Sequence, residues 1–316
     1  MIESIWPVRK LVGLCMMHLM FSSNLKSDGL LLVSAIIWGF AFVAQRIGME
    51  YVGPFTFNAV RFSLGAVALL PFLHRRPGQT ESGSDGNWRV VLLGGSVAGV
   101  VLFAGSTLQQ IGIIYTTAGK AGFITGLYVI IVPIIGLCLG KKTGTGTWAG
   151  ALLAVVGMYL LSITDSLSIG RGDLLVLIGA FFWAGHVVII GRLSGRVRAL
   201  NLAIGQFLTC SALSLIGAII FEEIVLSNII KAIVPILYAG LLSVGIAYTF
   251  QVFAQRKANP AHAAIILSLE SVFAVIGGMI ILGERLSAKG SVGCVLMLAG
   301  MLLSQLSKKR ISNDLP

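Results

Sequence analysis

The sequence predicts an all-α integral membrane protein of ten transmembrane helices, arranged as two inverted five-helix repeats. Three observations predict it. The 316 residues are 56% hydrophobic and only 11% charged, with mean hydropathy +0.94, whereas a soluble domain carries about 25% charged residues. The apolar residues fall into ten runs, most near the ~20 residues that span a hydrocarbon core. The two halves of the chain repeat.

The runs are 28–46, 54–73, 88–109, 116–139, 146–163, 173–191, 200–221, 232–254, 260–282 and 289–306. Connections are short except 74–87, a Gly-, Ser- and charge-rich loop. The 39 glycines suit close helix approach in lipid. Residues 1–27 precede the first run as an interfacial or disordered extension, or as leader sequence before a start at Met20. Residues 308–316 form a basic tail.

Alternating the runs across a membrane sorts the charges. Sixteen Lys and Arg fall on the side of both termini and six on the other; Arg61, inside the second run, completes the 23. Excess Lys and Arg mark cytoplasmic loops, so both termini are expected in the cytoplasm, in a cell (inner) membrane. The net charge of +11 is thereby a topology signal. The basic residues form no single stripe or patch, which excludes a nucleic-acid partner.

A shift of 145 residues lays Asp28 on Asp173, Trp38 on Trp183 and Phe62 on Phe207; later a shift of 143 lays Leu139-Gly140 on Leu282-Gly283. The spacing divides the chain into repeats 28–165 and 166–307. Five runs per repeat is an odd number, so the second copy enters from the opposite side. Inverted repeats are characteristic of secondary transporters, whose sites lie near the midplane between repeats.

Several stretches resemble EamA-type transporters of the drug/metabolite transporter superfamily: Ile37-Trp38-Gly39-Phe40-Ala41-Phe42-Val43, Asn58-Ala59-Val60-Arg61-Phe62, Leu108 to Gly112 with Tyr115 to Tyr128, and Leu269-Glu270-Ser271-Val272-Phe273 with Leu282-Gly283-Glu284-Arg285-Leu286. The resemblance covers residues 28–306. It implies that segments 1–4 and 6–9 surround the pathway, with 5 and 10 outside. Two departures stand out. Ser271 occupies the place of a common proline, which puts a helix break there in question. Lys141 stands where the family often has Glu, opposite Glu284.

Ionisable groups at midmembrane usually face protein or a water-filled cavity. Arg61 and Glu270 are the two deep ones. They are candidates to bind an anionic group and a cationic group or coupling proton, unless they form an internal ion pair. Trp38 and Trp183 are candidate cavity walls. Thr125, Tyr128, Gln206, Tyr248 and Gln251 add hydrogen-bonding groups, or serve as helix–helix glue. His186 and His262 are too isolated to expect a metal site, and Cys138, Cys210 and Cys294 read as packing residues.

No ATPase module or dinucleotide fingerprint is present, so no cofactor is expected and transport would use a gradient. The leading expectation is export of small, amino-acid-like metabolites by alternating access, with a proton as a candidate coupling ion. Efflux of lipophilic cations is the alternative; an intramembrane enzyme is remote, lacking a cluster of catalytic groups. The expected partners are a small-molecule substrate and the bilayer, and a homodimer is compatible with the sequence.

Overall fold

A computed structural model describes residues 25–73, 88–140, 144–162, 170–285 and 287–313. The N-terminal extension to residue 24, most of loop 74–87, Lys141 and the last three residues lie outside these. The described residues are helical throughout their spans: α1 (Leu25–Gly48), α2 (Pro54–Leu73), α3 (Trp88–Gly112), α4 (Ala118–Thr125), α5 (Tyr128–Cys138), α6 (Thr145–Ser162), α7 (Arg171–Leu193), α8 (Ala199–Phe221), α9 (Leu226–Lys231), α10 (Ile233–Leu237), a π-helical stretch (Tyr238–Tyr248), α11 (Thr249–Gln255), α12 (Pro260–Leu267), α13 (Glu270–Ile281) and α14 (Ala288–Asn313). Among them, eight spans are long and apolar enough to cross a membrane, with α4–α5, α10–α11 and α12–α13 each acting as one. Two shorter apolar stretches, Trp148–Gly157 and Ala288–Gly300, lie within α6 and α14.

Helix ends alternate between two faces of the bundle. At the end where α1 starts, here called proximal, Asp28 meets His262 of α12, and Arg198 before α8 donates to the Leu73 carbonyl at the end of α2. At the distal end Glu222 after α8 meets the start of α2, and Glu284 after α13 meets the start of α4. Large apolar side chains such as Leu93, Ile219 and Phe221 are exposed on the outside of the bundle. Lipid tails satisfy them there, so helix association rests on close packing instead of water exclusion.

The inversion is visible in α2 and α8, which occupy equivalent places in the two repeats. Phe55 at the start of α2 stacks on Phe221 at the end of α8, Phe62 faces Phe207, and Ser63 meets Ser211. Repeat mates therefore run antiparallel, as an odd number of spans per repeat requires.

Sequence-matched glycines confirm the register. Gly140 and Gly283 have φ +72° and +67°, the positive-φ residues among those described. Each follows the helix that ends its fourth span, where a left-handed residue terminates a helix and only glycine adopts it without a Cβ penalty. After Gly283 the Glu284 N–H reaches back to the Gly278 carbonyl.

The fourth span of each repeat breaks at its middle. α4 gives way to α5 at Gly126-Leu127, and α12 to α13 at Ser268-Leu269, 142 residues apart. Bonds of the i→i+3 kind tighten both breaks: Val129 N–H to Gly126, Val272 N–H to Leu269. The family-like proline is thus unnecessary for the break. Ser271 instead donates its hydroxyl to the Gly122 carbonyl at 2.7 Å, tying the two broken spans where they cross. The breaks also refine the repeat register. Glu270 opens α13 as Tyr128 opens α5, so its mate is Tyr128, one residue beyond the Leu127 that a shift of 143 selects.

Candidate functional site: a central cavity between the repeats

Both fourth-span breaks open onto a buried cavity with about 480 Å³ of space among its walls. Eight residues singled out from sequence line it: Trp38, Arg61, Thr125, Tyr128, Trp183, Tyr248, Gln251 and Glu270. The ninth, Gln206, stands behind the wall and meets His186 at 2.7 Å; His186 itself lines the cavity. Gln45, Gln109 and Ser243 complete the polar lining. Sequence reading missed the two glutamines because they sit at the ends of the predicted runs, where polar residues usually mark the interface. The helices continue to Gly48 and Gly112, which draws both glutamines inside.

Lining residues come from the first four spans of repeat 1 and from the first, third and fourth of repeat 2. α8 contributes only through Gln206. α6 and α14 contribute none; they pack on each other, where Gly300 lies against the backbone of Gly150.

The positions are nearly two-fold, while the chemistry is not. Separations of 145 residues join Trp38 to Trp183, Phe42 to Val187, Ala41 to His186 and Arg61 to Gln206. Separations of 142 join Thr125 to Leu267, Tyr128 to Glu270 and Gln109 to Gln251. The single cationic and single carboxylate side chains of the lining each face an uncharged mate.

Tyr248 is the hub of an aromatic cluster. Its ring lies 4.6 Å from Trp38, 6.2 Å from Trp183 in a stacked pose, and about 6 Å from Phe62, Phe207 and His186. The π-helical stretch supplies Ser243 and Tyr248 to the lining. A wide helix turn of this kind is rare and concentrates at functional sites. The Trp38 indole N–H donates to the Ser243 carbonyl at 3.2 Å, fixing α1 to that stretch.

Arg61 and Glu270 do not meet in an ion pair. The guanidinium lies over the Phe62 and Phe57 rings, 4.8 and 5.6 Å from their centroids, a contact worth about 0.5–2 kcal/mol. Its Nε has no hydrogen-bond partner, nor have the Tyr128 hydroxyl, the Trp183 indole N–H and the Gln251 Oε1. Tyr128 is directed at Glu270, too loosely aligned for a regular bond. Buried polar atoms without partners cost about 1–3 kcal/mol each. Four converging on one cavity form a ready set of donors and an acceptor.

Toward the distal end a side-chain chain closes the cavity: Thr125 donates to Gln109, and Gln109 donates to Gln45 at 3.0 Å. Beyond Gln45, the next residue Arg46 lines a separate charged vestibule with Glu50, Lys120, Asp173 and Glu284. Among the described residues no cluster of potential metal ligands is present.

The EamA-like transporter family model matches the chain twice, over residues 25–163 and 170–306. A protein of Archaeoglobus fulgidus named as an uncharacterized transporter is 33% identical over 88% of this chain and 85% of its own. The Escherichia coli K12 inner membrane transporter YedA, also named as uncharacterized, is 26% identical over 84% and 86%. One solved crystal structure matches the fold with TM-score 0.72, covering 90% of this chain and 98% of its own at 19% identity.

Proposed function

Because this chain belongs to the EamA-like transporter family, and is thus a multi-pass membrane transporter, we propose that it exports small amino-acid-like metabolites by alternating access through the central cavity. The observation that carries the substrate reading is the separation of charge within one chamber. Arg61 offers a guanidinium without a carboxylate partner, and Glu270 offers a carboxylate without a cation. A zwitterion answers both, with its carboxylate toward Arg61 and its ammonium toward Glu270. Trp38, Trp183 and Tyr248 then take an apolar side chain. The rival substrate class, lipophilic cations, suits Glu270 and the aromatic walls but meets repulsion from Arg61.

Alternating access follows from the pairing of repeats. Two antiparallel repeats around one site can exchange conformations, so that a cavity open at one end becomes open at the other. The paired breaks at Gly126-Leu127 and Ser268-Leu269 are natural hinges, because tightened turns inside a helix concentrate bending. Glu270 is the proposed coupling group: it takes a proton from one side and releases it to the other. The basic residues favour the proximal end, and with it both termini, on the cytoplasmic side of an inner membrane.

The test pairs stability with transport. Glu270→Gln loses no ion pair, so its melting temperature in detergent stays near wild type while proton-driven efflux from vesicles is lost. Arg61→Gln weakens binding of carboxylate-bearing substrates about tenfold or more, as a lost charge-assisted bond implies. A Glu270→Gln protein with full proton dependence would remove Glu270 from coupling. Equal affinity of Arg61→Gln for an amino acid and its amide would remove the zwitterion.

A further inference from the structure

A second opening lies away from the central cavity, on the outer surface between α3 and α8. It holds about 880 Å³ of space open on one side, lined by Val91, Leu92 and Ser96 of α3 and by Asn201, Gly205, Leu208 and Thr209 of α8. The two helices run parallel: Gly95 lies beside Gly205, and Gly99 beside Thr209. Their backbones approach so closely at Gly95 that the groove has a backbone floor, with Leu92 and Leu208 exposed at its rims.

The groove is graded in chemistry from the proximal end inward. Arg89 precedes Ser96 by seven residues, and Arg198 precedes Gly205 by seven. Seven residues are two helical turns, so each arginine stands on the groove face of its own helix at the proximal mouth. Arg89 is exposed; Arg198 also donates to the Leu73 carbonyl. Next come Asn201 and Ser96, partly exposed polar side chains on a surface that otherwise meets lipid tails. Deeper in, Leu208 and the Thr209 methyl make the walls apolar, because the Thr209 hydroxyl is turned back onto the Gly205 carbonyl at 2.9 Å.

The repeat mate of this groove is filled. Asn201, Gly205 and Thr209 correspond to Thr56, Val60 and Leu64 of α2. There, Val60 and Leu64 pack with Phe57, Ile236 and Ala239, and Leu64 covers Gly240. The groove therefore opens at the proximal end alone, where the basic residues gather.

We infer that the α3–α8 groove is a binding site for an anionic phospholipid of the proximal leaflet. Its phosphate sits between Arg89 and Arg198, its glycerol esters take hydrogen bonds from Ser96 and Asn201, and one acyl chain fills the space over Gly205. A basic mouth above an apolar slot matches that molecule end to end; a neutral-headgroup lipid or a second helix leaves the arginines or the narrow slot unused. The occupant would brace the α3–α8 seam. The Gly205-Gln206 backbone is the floor of the groove, and Gln206 reaches through to His186 in the cavity wall.

Native mass spectrometry of the full chain, purified in mild detergent with phosphatidylglycerol or phosphatidylcholine added, tests this. Wild type retains one phosphatidylglycerol in preference to phosphatidylcholine, and phosphatidylglycerol raises its melting temperature. Arg89→Gln lowers the preference about fivefold, the effect of one basic residue near the surface. Ser96→Leu with Asn201→Leu fills the slot and abolishes both retention and the thermal shift. Arg89 is exposed, so its variant still folds if the filled variant does not. Equal retention of the two lipids, or undiminished phosphatidylglycerol binding by Arg89→Gln, overturns the site and leaves only annular lipid. Neither result touches Arg61 or Glu270, so the central transport reading stands or falls separately.

Discussion

The two ends of the bundle close on the same scaffold with opposite charges. At the distal end carboxylates of repeat 2 hold helix starts of repeat 1. Glu222 accepts from the Phe55 and Thr56 N–H groups and the Thr56 hydroxyl at 2.7–2.8 Å. Glu284 accepts from the Ala118 and Gly119 N–H groups, and Asp173 takes the Thr116 hydroxyl at 2.6 Å. At the proximal end cations hold helix ends: Arg198 reaches the Leu73 carbonyl and Arg256 the Val197 carbonyl. Asp28, the mate of Asp173, meets His262 there.

Both devices answer one need. Helix starts carry unpaired N–H groups and helix ends unpaired carbonyls, so anions suit the first and cations the second. Arg46 on the Ile114 carbonyl is a distal exception. The difference teaches that the charge asymmetry used to orient the chain in a membrane is also structural. The residues that sort the loops into basic and acidic ones are the residues that fasten the helix ends. Glu284 and its mate position Lys141 show it in one pair, with an anion on the distal side and a cation in the proximal sequence.

Breaking the distal fastening should cost most. Glu222→Ala removes an acceptor for three bonds and is expected to destabilise the protein by about 2–3 kcal/mol, the range for bonds to a charged group. Arg256→Ala, with one such bond and a ring contact to Phe253, should cost about 1–2 kcal/mol. Thermal unfolding in detergent checks the order; equal losses would dissolve the contrast between the ends.

Glu284→Gln sharpens the comparison by a smaller step. A neutral amide keeps one acceptor for the α4 start and loses the other, which loosens the distal end while the proximal end stays closed. With Ala41→Cys as a reporter inside the cavity, in a background without other cysteines, an impermeant thiol reagent added from the distal side should label faster. Unchanged labelling would show that the Glu284 contact does not help hold that end shut.

Ser271→Pro should have the smallest effect, because it acts at the midpoint shared by both ends. The break at Ser268-Leu269 already exists, so the substitution removes mainly the hydroxyl bond to Gly122, at a cost of about 1 kcal/mol. Transport is expected to persist. Loss of folding would mean that Ser271 carries the crossing of the two broken spans.

Much of this was legible from residues alone. Long apolar runs leave no soluble alternative, because the backbone in lipid must satisfy itself within helices. The spacing of Trp38 and Trp183, and of Gly140 and Gly283, reports the duplication directly, since a repeated fold needs like residues at like turns. Arg61 and Glu270 stood out because a charge in the middle of an apolar run has few tolerable surroundings. Tertiary structure decided the rest. That Arg61 and Glu270 share a cavity without pairing depends on the crossing of α2 with the broken fourth spans, which no local pattern encodes. Gln45 and Gln109 became lining residues only because their helices extend past the apolar runs. The π-helical turns that present Tyr248 have no residue signature, and Ser271 occupies a break that proline was expected to make. Helices are set by local hydropathy and hydrogen bonding; which of their polar faces meet is set by contacts between segments more than a hundred residues apart.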